Sequence, residues 1–271
     1  MTSAEEFLRS YHDRRPGASS ELTERGRVAG DGRTVYEVFA DRVEGAKAVL
    51  DLGCGDGALL AVLKDRGAET VAGIDLSPGH VDAAGRRPAL ADADVRVGRA
   101  QELPFADGEF DTVVSVMALM LMADVERVVA EVVRVLKPGG TLALGLGGGG
   151  LDAMEIFLKV ARPLFAVVPE ERRVPSVGDP RTRTREGLDE LLGPAGFEPV
   201  SWDPILVDFG GTPDEVWQTC HDSYYQMATL DETQAKGLRT AFTVATRSRV
   251  NSDGRLNAAM CVNVAVTRLR S

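Results

Sequence analysis

The sequence predicts an α/β protein with a doubly wound, mostly parallel sheet of seven strands and helical cap insertions. Short apolar segments alternate with helical segments between residues 47 and 147. Such alternation produces right-handed βαβ crossovers and a sheet covered by helices on both faces. A glycine-rich turn, "GCGDG" at 53–57, follows the first of these strands. It lies at the carboxyl edge of the sheet, where open α/β sheets bind their ligands.

Five strands and three helices are predicted in this alternating region. The strands are expected over 47–52, 70–76, 95–100, 110–118 and 141–147. Helices are expected over 57–67, 78–87 and 125–136, the last because its apolar residues recur at helical spacing. Ser77 is a plausible N-cap for the second of them. The strand at 110–118 has apolar residues on both faces, so we expect it in the middle of the sheet.

Two regions flank the alternation. Residues 1–46 are predicted to form an N-terminal helical lid segment, with helices over 3–14 and 33–43. After the glycine run at 147–150, interpreted as a flexible join, we expect helices over 151–167 and 184–196 and strands over 197–209 and 256–269. We therefore predict a ligand-binding core over 47–147, which residues 148–271 complete as one domain with cap helices and the last two strands.

Composition indicates a cytoplasmic enzyme. The net charge of −10 over 271 residues argues against nucleic acid or an anionic membrane as partner, because phosphates need a basic surface. The three cysteines, Cys54, Cys220 and Cys261, are widely spaced, which indicates a reducing compartment. The N-terminus is polar and acidic, unlike a signal peptide. We expect a monomer or homodimer that acts on a small-molecule substrate.

The glycine turn has two interpretations. Gly53, Gly55 and Ala58 fit the dinucleotide fingerprint G-x-G-x-x-G/A, with an acidic residue at Asp75 further on. That pattern would make the protein an NAD-dependent dehydrogenase. However, Asp51 precedes the turn and Asp56 lies inside it, and a pyrophosphate would meet their negative charge. Acids beside the turn favour a cationic ligand that carries an ammonium or sulfonium group.

Four segments resemble one family in order along the chain. "VLDLGCGDG" (49–57) resembles motif I of the class I S-adenosylmethionine-dependent methyltransferases, and "GIDLSP" (73–78) resembles the end of their second strand. "GRAQELPFADGEFDTVVS" (98–115) is similar to the family's "GDAEXLPFPDGSFDXVXS", and residues 117–140 resemble the segment that follows. The resemblance implies a Rossmann-like core, S-adenosylmethionine as cofactor, and the small-molecule subgroup related to ubiquinone and menaquinone biosynthesis and antibiotic tailoring.

The resemblance also implies which residues bind the cofactor. Asp75 would accept from the ribose hydroxyls, and Leu76 would pack on the adenine. The family usually has an acid at position 99, but Arg99 cannot accept a hydrogen bond, so we expect Ala100 and Gln101 to form the adenine edge. The full predicted cofactor-binding set is Asp51, Gly53, Cys54, Gly55, Asp75, Leu76, Ala100, Gln101 and Met117.

The predicted reaction is transfer of a methyl group to an O or N atom, less readily a C atom, of an apolar or aromatic small molecule in secondary metabolism. A base is needed only if the acceptor atom arrives protonated. His12 and His221 are the candidates, whereas His80 is expected on the surface. The sequence shows no obvious cluster of acidic residues that could bind a divalent metal ion, so we expect methyl transfer without a metal. Aromatic residues expected to cover the acceptor are Phe157, Phe165, Trp217 and Tyr224.

One further alternative stays open from the sequence. A protein of the same fold could bind the cofactor without transferring its methyl group, as a cyclase or a sensor.

Overall fold

The computed structural model describes residues 3–271, so the first two residues of the predicted lid segment lie outside the described residues. The strands, in chain order, are β1 (Arg27–Val28), β2 (Ala48–Leu52), β3 (Thr70–Asp75), β4 (Asp94–Val97), β5 (Phe110–Val116), β6 (Leu136–Asp152), β7 (Ser201–Asp208) and β8 (Ala258–Arg268). They form one eight-stranded sheet in the order β1-β7-β8-β6-β5-β2-β3-β4.

The central strands of the sheet are parallel. β2 pairs with β3 and β5, β3 with β4, and β5 with β6 in the same direction, whereas β8 is antiparallel to both β6 and β7. The chain runs outward from β2 through β3 to β4 and then returns to the other side of β2 as β5. The switch point therefore lies at the carboxyl ends of β2 and β5, where such sheets bind ligands.

Helices cover both faces of the sheet, which confirms the doubly wound prediction. They are α1 (Ser3–Asp13), α2 (Ala18–Arg25), α3 (Val35–Asp41), α4 (Ala58–Asp65), α5 (Pro78–Ala84), α6 (Val125–Val135), α7 (Ala153–Ala166), α8 (Arg185–Leu192), α9 (Pro213–Ser223) and α10 (Glu232–Thr246). One apolar core includes α6 and α8, and a second includes α3 and α4. Ser77 caps α5, as predicted, and accepts from the His80 N–H.

Helices α7, α9 and α10 pack around an apolar core of their own. The Phe157 ring stacks on Tyr224 at 5.4 Å between centroids, and Trp217 lies 5.7 Å from Phe242. The rings of Phe157, Trp217 and Tyr224, which were predicted to cover the acceptor, pack on one another and hold the cap helices together; their role toward an acceptor stays a prediction. Phe165 packs against the same cluster.

Three local predictions differ from the structure. The glycine run at 147–150 is not a flexible join but part of β6, where Gly147 pairs with Val262 and Gly149 with Cys261 across an irregularity in register. β1 is an additional strand that pairs with β7. α2 is an additional helix between the two that were predicted over 3–14 and 33–43. In residues 3–271 no helix has the length and apolar character needed to cross a membrane.

Candidate functional site

A cavity of about 260 Å³ lies at the switch point. Its floor is formed by the segments that follow β2, β3, β4 and β5, and it is covered by α1, α2 and the end of α9. The predicted cofactor-binding residues that line it are Gly53, Cys54, Gly55, Asp75, Leu76, Ala100, Gln101 and Met117. Asp51 lies behind this wall and is buried.

The backbone of the glycine turn is bonded within the protein. The N–H groups of Gly53 and Cys54 both donate to the Ile74 carbonyl, at 2.8 and 3.1 Å. The Gly55 N–H donates to Asp75 Oδ2 at 2.9 Å. Gly55 has a φ of 56°, and a Cβ there would meet only His80 Nδ1, at 3.9 Å. The turn thus brings backbone to the cavity while its amides at 53–55 are already paired, which disfavours a pyrophosphate.

Asp51 is a buried acid behind this turn that can take up a negative charge. Within the described chain, its Oδ1 is buried without a hydrogen-bond partner. Burial, and then the negative charge of Asp75, raise the pKa of Asp51 to about 8. A cation that comes close favours the ionised form of such a carboxyl group. The cavity end beside Asp51 therefore favours a positively charged ligand.

Asp56 has a different role from the one expected. Its carboxylate accepts from the Arg87 guanidinium and from the hydroxyl of Ser20 on α2. Because Arg87 neutralises it, Asp56 contributes little to a preference for cationic ligands. It instead fixes α2 to the glycine turn, and of the two acids beside the turn only Asp51 is left to favour a cationic ligand.

Asp75 ends β3 and lies in the cavity wall. Its Oδ1 accepts from the Ser77 N–H at 2.9 Å and lies 3.3 Å from His80 Nδ1. Burial raises the pKa of Asp75, but the hydrogen bonds from His80 and from the Ser77 and Gly55 N–H groups outweigh it, so the pKa lies below its usual value. The side chain is thus an ionised acceptor. His80 is buried and lines the cavity, so the prediction of a surface position is wrong.

Helices α1 and α2 are fixed to the sheet edge by polar contacts. Arg99 Nε and Nη2 donate to Glu5 Oε1 at 3.0 and 2.7 Å. Asp13 Oδ1 accepts from the Ser77 hydroxyl at 2.5 Å and from the Gly79 N–H at 3.1 Å. Together with the contact between Ser20 and Asp56, these bonds lay the segment 3–25 along the edge formed by β4, β3 and β2.

The two candidate bases lie in different places. His12 lines the cavity, and its Nε2 is 3.0 Å from the Tyr225 hydroxyl. Burial, and then the nearby His80, lower the pKa of His12 to about 4, so its ring is neutral at pH 7. His221 is outside the cavity wall that residues 3–271 form: it is partly exposed, with Nδ1 3.3 Å from Asp222 Oδ1. Sequence reasoning missed Tyr225, whose partner lies 213 residues away.

The end of β5 is strained where it enters the cavity. Met117 has a φ of 58°, a conformation that costs a non-glycine residue free energy and is common at functional sites. A Cβ on Gly53 would clash with Ala118, so the two segments approach closely. Met120, Leu121 and Met122 continue the wall from there. Across residues 3–271, no three His, Cys, Asp or Glu side chains are grouped so that they could hold a metal ion.

Comparison with known proteins identifies this core. Residues 50–144 match a family model described as a methyltransferase domain. Residues 50–144 therefore form a methyltransferase domain. The match covers β2 to β6 and the turns that line the cavity floor.

Curated relatives share this methyltransferase domain over part of their length. The chain is 35% identical over 164 residues to the 27-O-demethylrifamycin SV methyltransferase of Amycolatopsis mediterranei, covering 58% of this chain and 56% of that protein. It is 36% identical over 141 residues to the ribosomal protein L11 methyltransferase of Burkholderia mallei, covering 50% and 45%. The matches thus span about half the length of these relatives.

Solved structures share the fold of the whole chain. The [4+2]-cyclase SpnF aligns with a TM-score of 0.62 at 19% identity, over 99% of this chain and 97% of that one. Phosphoethanolamine N-methyltransferase 2 of Haemonchus contortus, solved with S-adenosyl-L-methionine, aligns with a TM-score of 0.60 at 17% identity, over 100% and 61%. At these identities the likeness establishes the fold of the methyltransferase domain and its cap.

Proposed function

We propose that this chain transfers the methyl group of S-adenosylmethionine to an O or N atom, less readily a C atom, of an apolar or aromatic small molecule in secondary metabolism. The observation that carries the proposal is the buried Oδ1 of Asp51, which has no hydrogen-bond partner in the described chain. It lies behind a glycine turn whose amides at 53–55 are already bonded. This combination favours a cation over a pyrophosphate.

The residues present fit S-adenosylmethionine. Asp51 would offset its positive charge, Asp75 would accept from the ribose hydroxyls, and Leu76 would pack on the adenine. Gly55 leaves open space beside His80 where a larger residue would enter the cavity. The remaining members of the predicted set, Gly53, Cys54, Ala100, Gln101 and Met117, would complete the binding surface. When bound, this cofactor supplies a methyl group already activated on a sulfonium sulfur.

The chain's own contribution is alignment and exclusion of water. Helices α1, α2 and α9 cover the cavity, and methyl transfer gains from a dry site that holds both reactants in line. The wall beyond Met117 is apolar and includes Met120, Leu121 and Met122. This wall supports an apolar acceptor, and flexible methionines adapt to irregular ligands.

His12 and Tyr225 are the polar groups that we propose orient the acceptor. Because His12 is neutral at pH 7, it can accept a proton that an acceptor hydroxyl or amine loses, directly or through the Tyr225 hydroxyl 3.0 Å away. A pKa of about 4 makes it a weak base, so we expect it to contribute mainly by holding Tyr225. His221 stays a second candidate from the sequence, at a greater distance from the cavity.

The name of one relative supports an oxygen acceptor. The 35% identical protein is named for 27-O-demethylrifamycin SV, which is a small molecule. The ribosomal protein L11 methyltransferase acts, by its name, on a protein, but a cavity covered by three helices favours a small acceptor. The three unpaired cysteines of the chain support a cytoplasmic location.

A second candidate function is cyclisation without methyl transfer. The [4+2]-cyclase that shares this fold aligns over nearly the whole chain, and such a protein would keep the same cofactor cavity. The two functions differ in what happens to the methyl group, which makes them separable by product analysis.

The test is product analysis with purified protein. We would first determine the mass of any ligand that co-purifies, then incubate the protein with S-adenosylmethionine and a panel of hydroxylated and aminated aromatic acceptors. The proposal predicts S-adenosylhomocysteine in equal amount to a methylated product. An isomerised product of unchanged mass with intact S-adenosylmethionine would support the cyclase, and failure to bind either sulfur ligand would contradict both.

A further inference from the structure

The carboxylate of Asp75 has one hydrogen-bond acceptor site left for a ligand. An ionised carboxylate offers about four lone-pair sites, shared by its two oxygens. Oδ1 accepts from the Ser77 N–H at 2.9 Å and lies 3.3 Å from His80 Nδ1, and Oδ2 accepts from the Gly55 N–H at 2.9 Å. In the described chain these three groups are the partners of the carboxylate. A ribose presents two neighbouring hydroxyls, so Asp75 can accept from one of them and the other needs a second acceptor.

His80 is the neighbouring side chain that can supply this acceptor. Its Nδ1 faces the ionised carboxylate of Asp75, so we infer that Nδ1 holds the hydrogen and that the neutral ring keeps a lone pair on Nε2. Within residues 3–271, Asp51 Oδ1 is the one fully buried side-chain polar atom without a partner. His80 Nε2, which also has no partner there, therefore borders open space. The residue is only 4% exposed and lines the cavity, so that space is the cavity.

The surroundings of His80 hold its ring in this place. The residue lies in the first turn of α5, where its N–H donates to the Ser77 hydroxyl oxygen at 3.1 Å. That hydroxyl donates in turn to Asp13 Oδ1 on α1 at 2.5 Å. The His12 ring lies 5.0 Å from the His80 ring, between centroids. An acceptor that is already held in position loses little conformational entropy when a ligand binds.

We propose that two residues share the ribose hydroxyls of the cofactor: Asp75 Oδ2 accepts from one hydroxyl, and His80 Nε2 accepts from the other. This inference rests on the proposed function, because it assumes an adenosyl ligand. It makes His80 a binding residue as well as a partner of Asp75. Part of ribose recognition then lies on helix α5, and loss of either hydroxyl removes a contact with a different residue.

The test measures the affinity of three ligands for three proteins by calorimetry at pH 8, where imidazole is neutral. The ligands are S-adenosylhomocysteine and its 2′-deoxy and 3′-deoxy analogues. The proteins are the wild type, His80→Asn and the control Asp82→Asn, which changes an exposed residue of the same helix. An asparagine amide can still donate to Asp75 but has no atom at the position of Nε2.

We expect His80→Asn to weaken S-adenosylhomocysteine by about three- to tenfold, the size of one neutral hydrogen bond. One deoxy analogue should bind His80→Asn and the wild type alike, because it lacks the hydroxyl that His80 contacts. The other analogue should be weakened by the same factor as S-adenosylhomocysteine. Asp82→Asn should bind all three ligands as the wild type does.

Weakening of all three ligands by His80→Asn would overturn the inference, because His80 would then act only by orienting Asp75. An unchanged affinity for S-adenosylhomocysteine would overturn it as well. A wild type that binds neither S-adenosylmethionine nor S-adenosylhomocysteine would instead contradict the proposed function.

Nitrogen NMR of the wild type, labelled with ¹⁵N at histidine, gives a second measurement that does not depend on the folding of a His80 variant. The chain has three histidines, and His12→Gln and His221→Gln identify the signals of the other two. S-adenosylhomocysteine should shift the His80 Nε2 signal upfield, as expected when its lone pair accepts a hydrogen bond. The deoxy analogue that lacks the contacted hydroxyl should not shift it, and equal shifts with all three ligands would contradict the assignment.

Discussion

Asp51 is the residue on which the electrostatics of the cavity depend. Its carboxyl group is buried, and in the described chain the Oδ1 atom has no hydrogen-bond partner. Burial, together with the charge of Asp75, raises the pKa of Asp51 to about 8. In the ligand-free protein at pH 7 the protonated form is therefore the larger population. A bound cation would favour the ionised form, so binding of a positively charged ligand should release protons below pH 8.

The pH dependence of stability tests this assignment. Because the folded-state pKa is raised, the native state binds more protons than the unfolded state between about pH 4 and pH 8, and stability falls as pH rises through that range by up to about 1.4 kcal/mol per unit. Asp51→Asn should remove this contribution. In urea denaturation of the ligand-free protein, the free energy of unfolding of the variant should therefore rise relative to that of the wild type from pH 5 to pH 8. Asp82→Asn, at an exposed position on α5, should keep the wild-type slope. Parallel slopes for Asp51→Asn and wild type would contradict the assignment.

Asp75 is expected to bind ribose in substrate and product cofactor alike. Asp75→Ala should weaken S-adenosylmethionine and S-adenosylhomocysteine by similar factors, on the order of ten to a hundred. The stability of the variant should also fall, because the carboxylate accepts hydrogen bonds from the Gly55 and Ser77 N–H groups. Ligand affinity is therefore the measurement that decides. An S-adenosylhomocysteine analogue without ribose hydroxyls provides the control: it should bind wild type and variant equally. If the variant weakened this analogue as strongly, Asp75 would be structural only.

The residues of the cavity floor could be predicted from sequence, whereas those of its cover could not. Floor residues such as Gly55 and Leu76 lie in short motifs whose local spacing carries the signal. Glu5 and Arg99 are 94 positions apart, and His12 and Tyr225 are 213 apart. Their pairing follows from how the lid helices lie on the sheet, and no local pattern encodes that.

At the scale of elements, α1 and α2 form a cover that α9 helps to hold. Asp222, on α9, is largely buried and lies 3.2 Å from Arg15 and 3.5 Å from Arg25. Both arginines are well exposed, so each pair contributes less than about 1 kcal/mol. The contacts between the segment 3–25 and α9 are thus weak, which suits a segment that must admit a ligand.

Limited proteolysis tests whether this cover opens. Trypsin should cut ligand-free protein near residues 14–20, and saturating S-adenosylhomocysteine should suppress the cut. Asp222→Asn should speed cleavage several-fold, as expected for losing under about 1 kcal/mol from each of two pairs. Asp214→Asn is the matched control: it lies on α9 like Asp222 but breaks a pair with Arg239 of α10, and it should leave the rate unchanged. An equal rate of cleavage with and without S-adenosylhomocysteine would mean that the segment does not open for the ligand.

The elements themselves were largely predictable, with two instructive exceptions. Apolar runs and helical spacing located β2 to β8, because those segments carry their own burial pattern. The glycine run at 147–150 has weak strand propensity, and its pairing with β8 imposes the strand. β1 has two residues and depends wholly on its contact with β7.

At the scale of the molecule, the cap is a separate apolar cluster beside the sheet. Phe157 is fully buried there, away from the cavity wall. Phe157→Leu should therefore lower the free energy of unfolding by about 1–3 kcal/mol while leaving the affinity for S-adenosylhomocysteine within twofold of wild type. Denaturant titration and calorimetry on the same preparation measure both. A selective loss of ligand affinity with unchanged stability would restore Phe157 to the binding site.

We expect the cavity, from the turn after β2 to the covering helices, to bind an adenosyl cofactor and not a dinucleotide. The decisive measurement is calorimetric titration of the purified chain with S-adenosylmethionine, S-adenosylhomocysteine and NADH at one pH. The two sulfur ligands should bind saturably, and NADH should not bind. Tight binding of NADH, with no response to either sulfur ligand, would contradict this expectation.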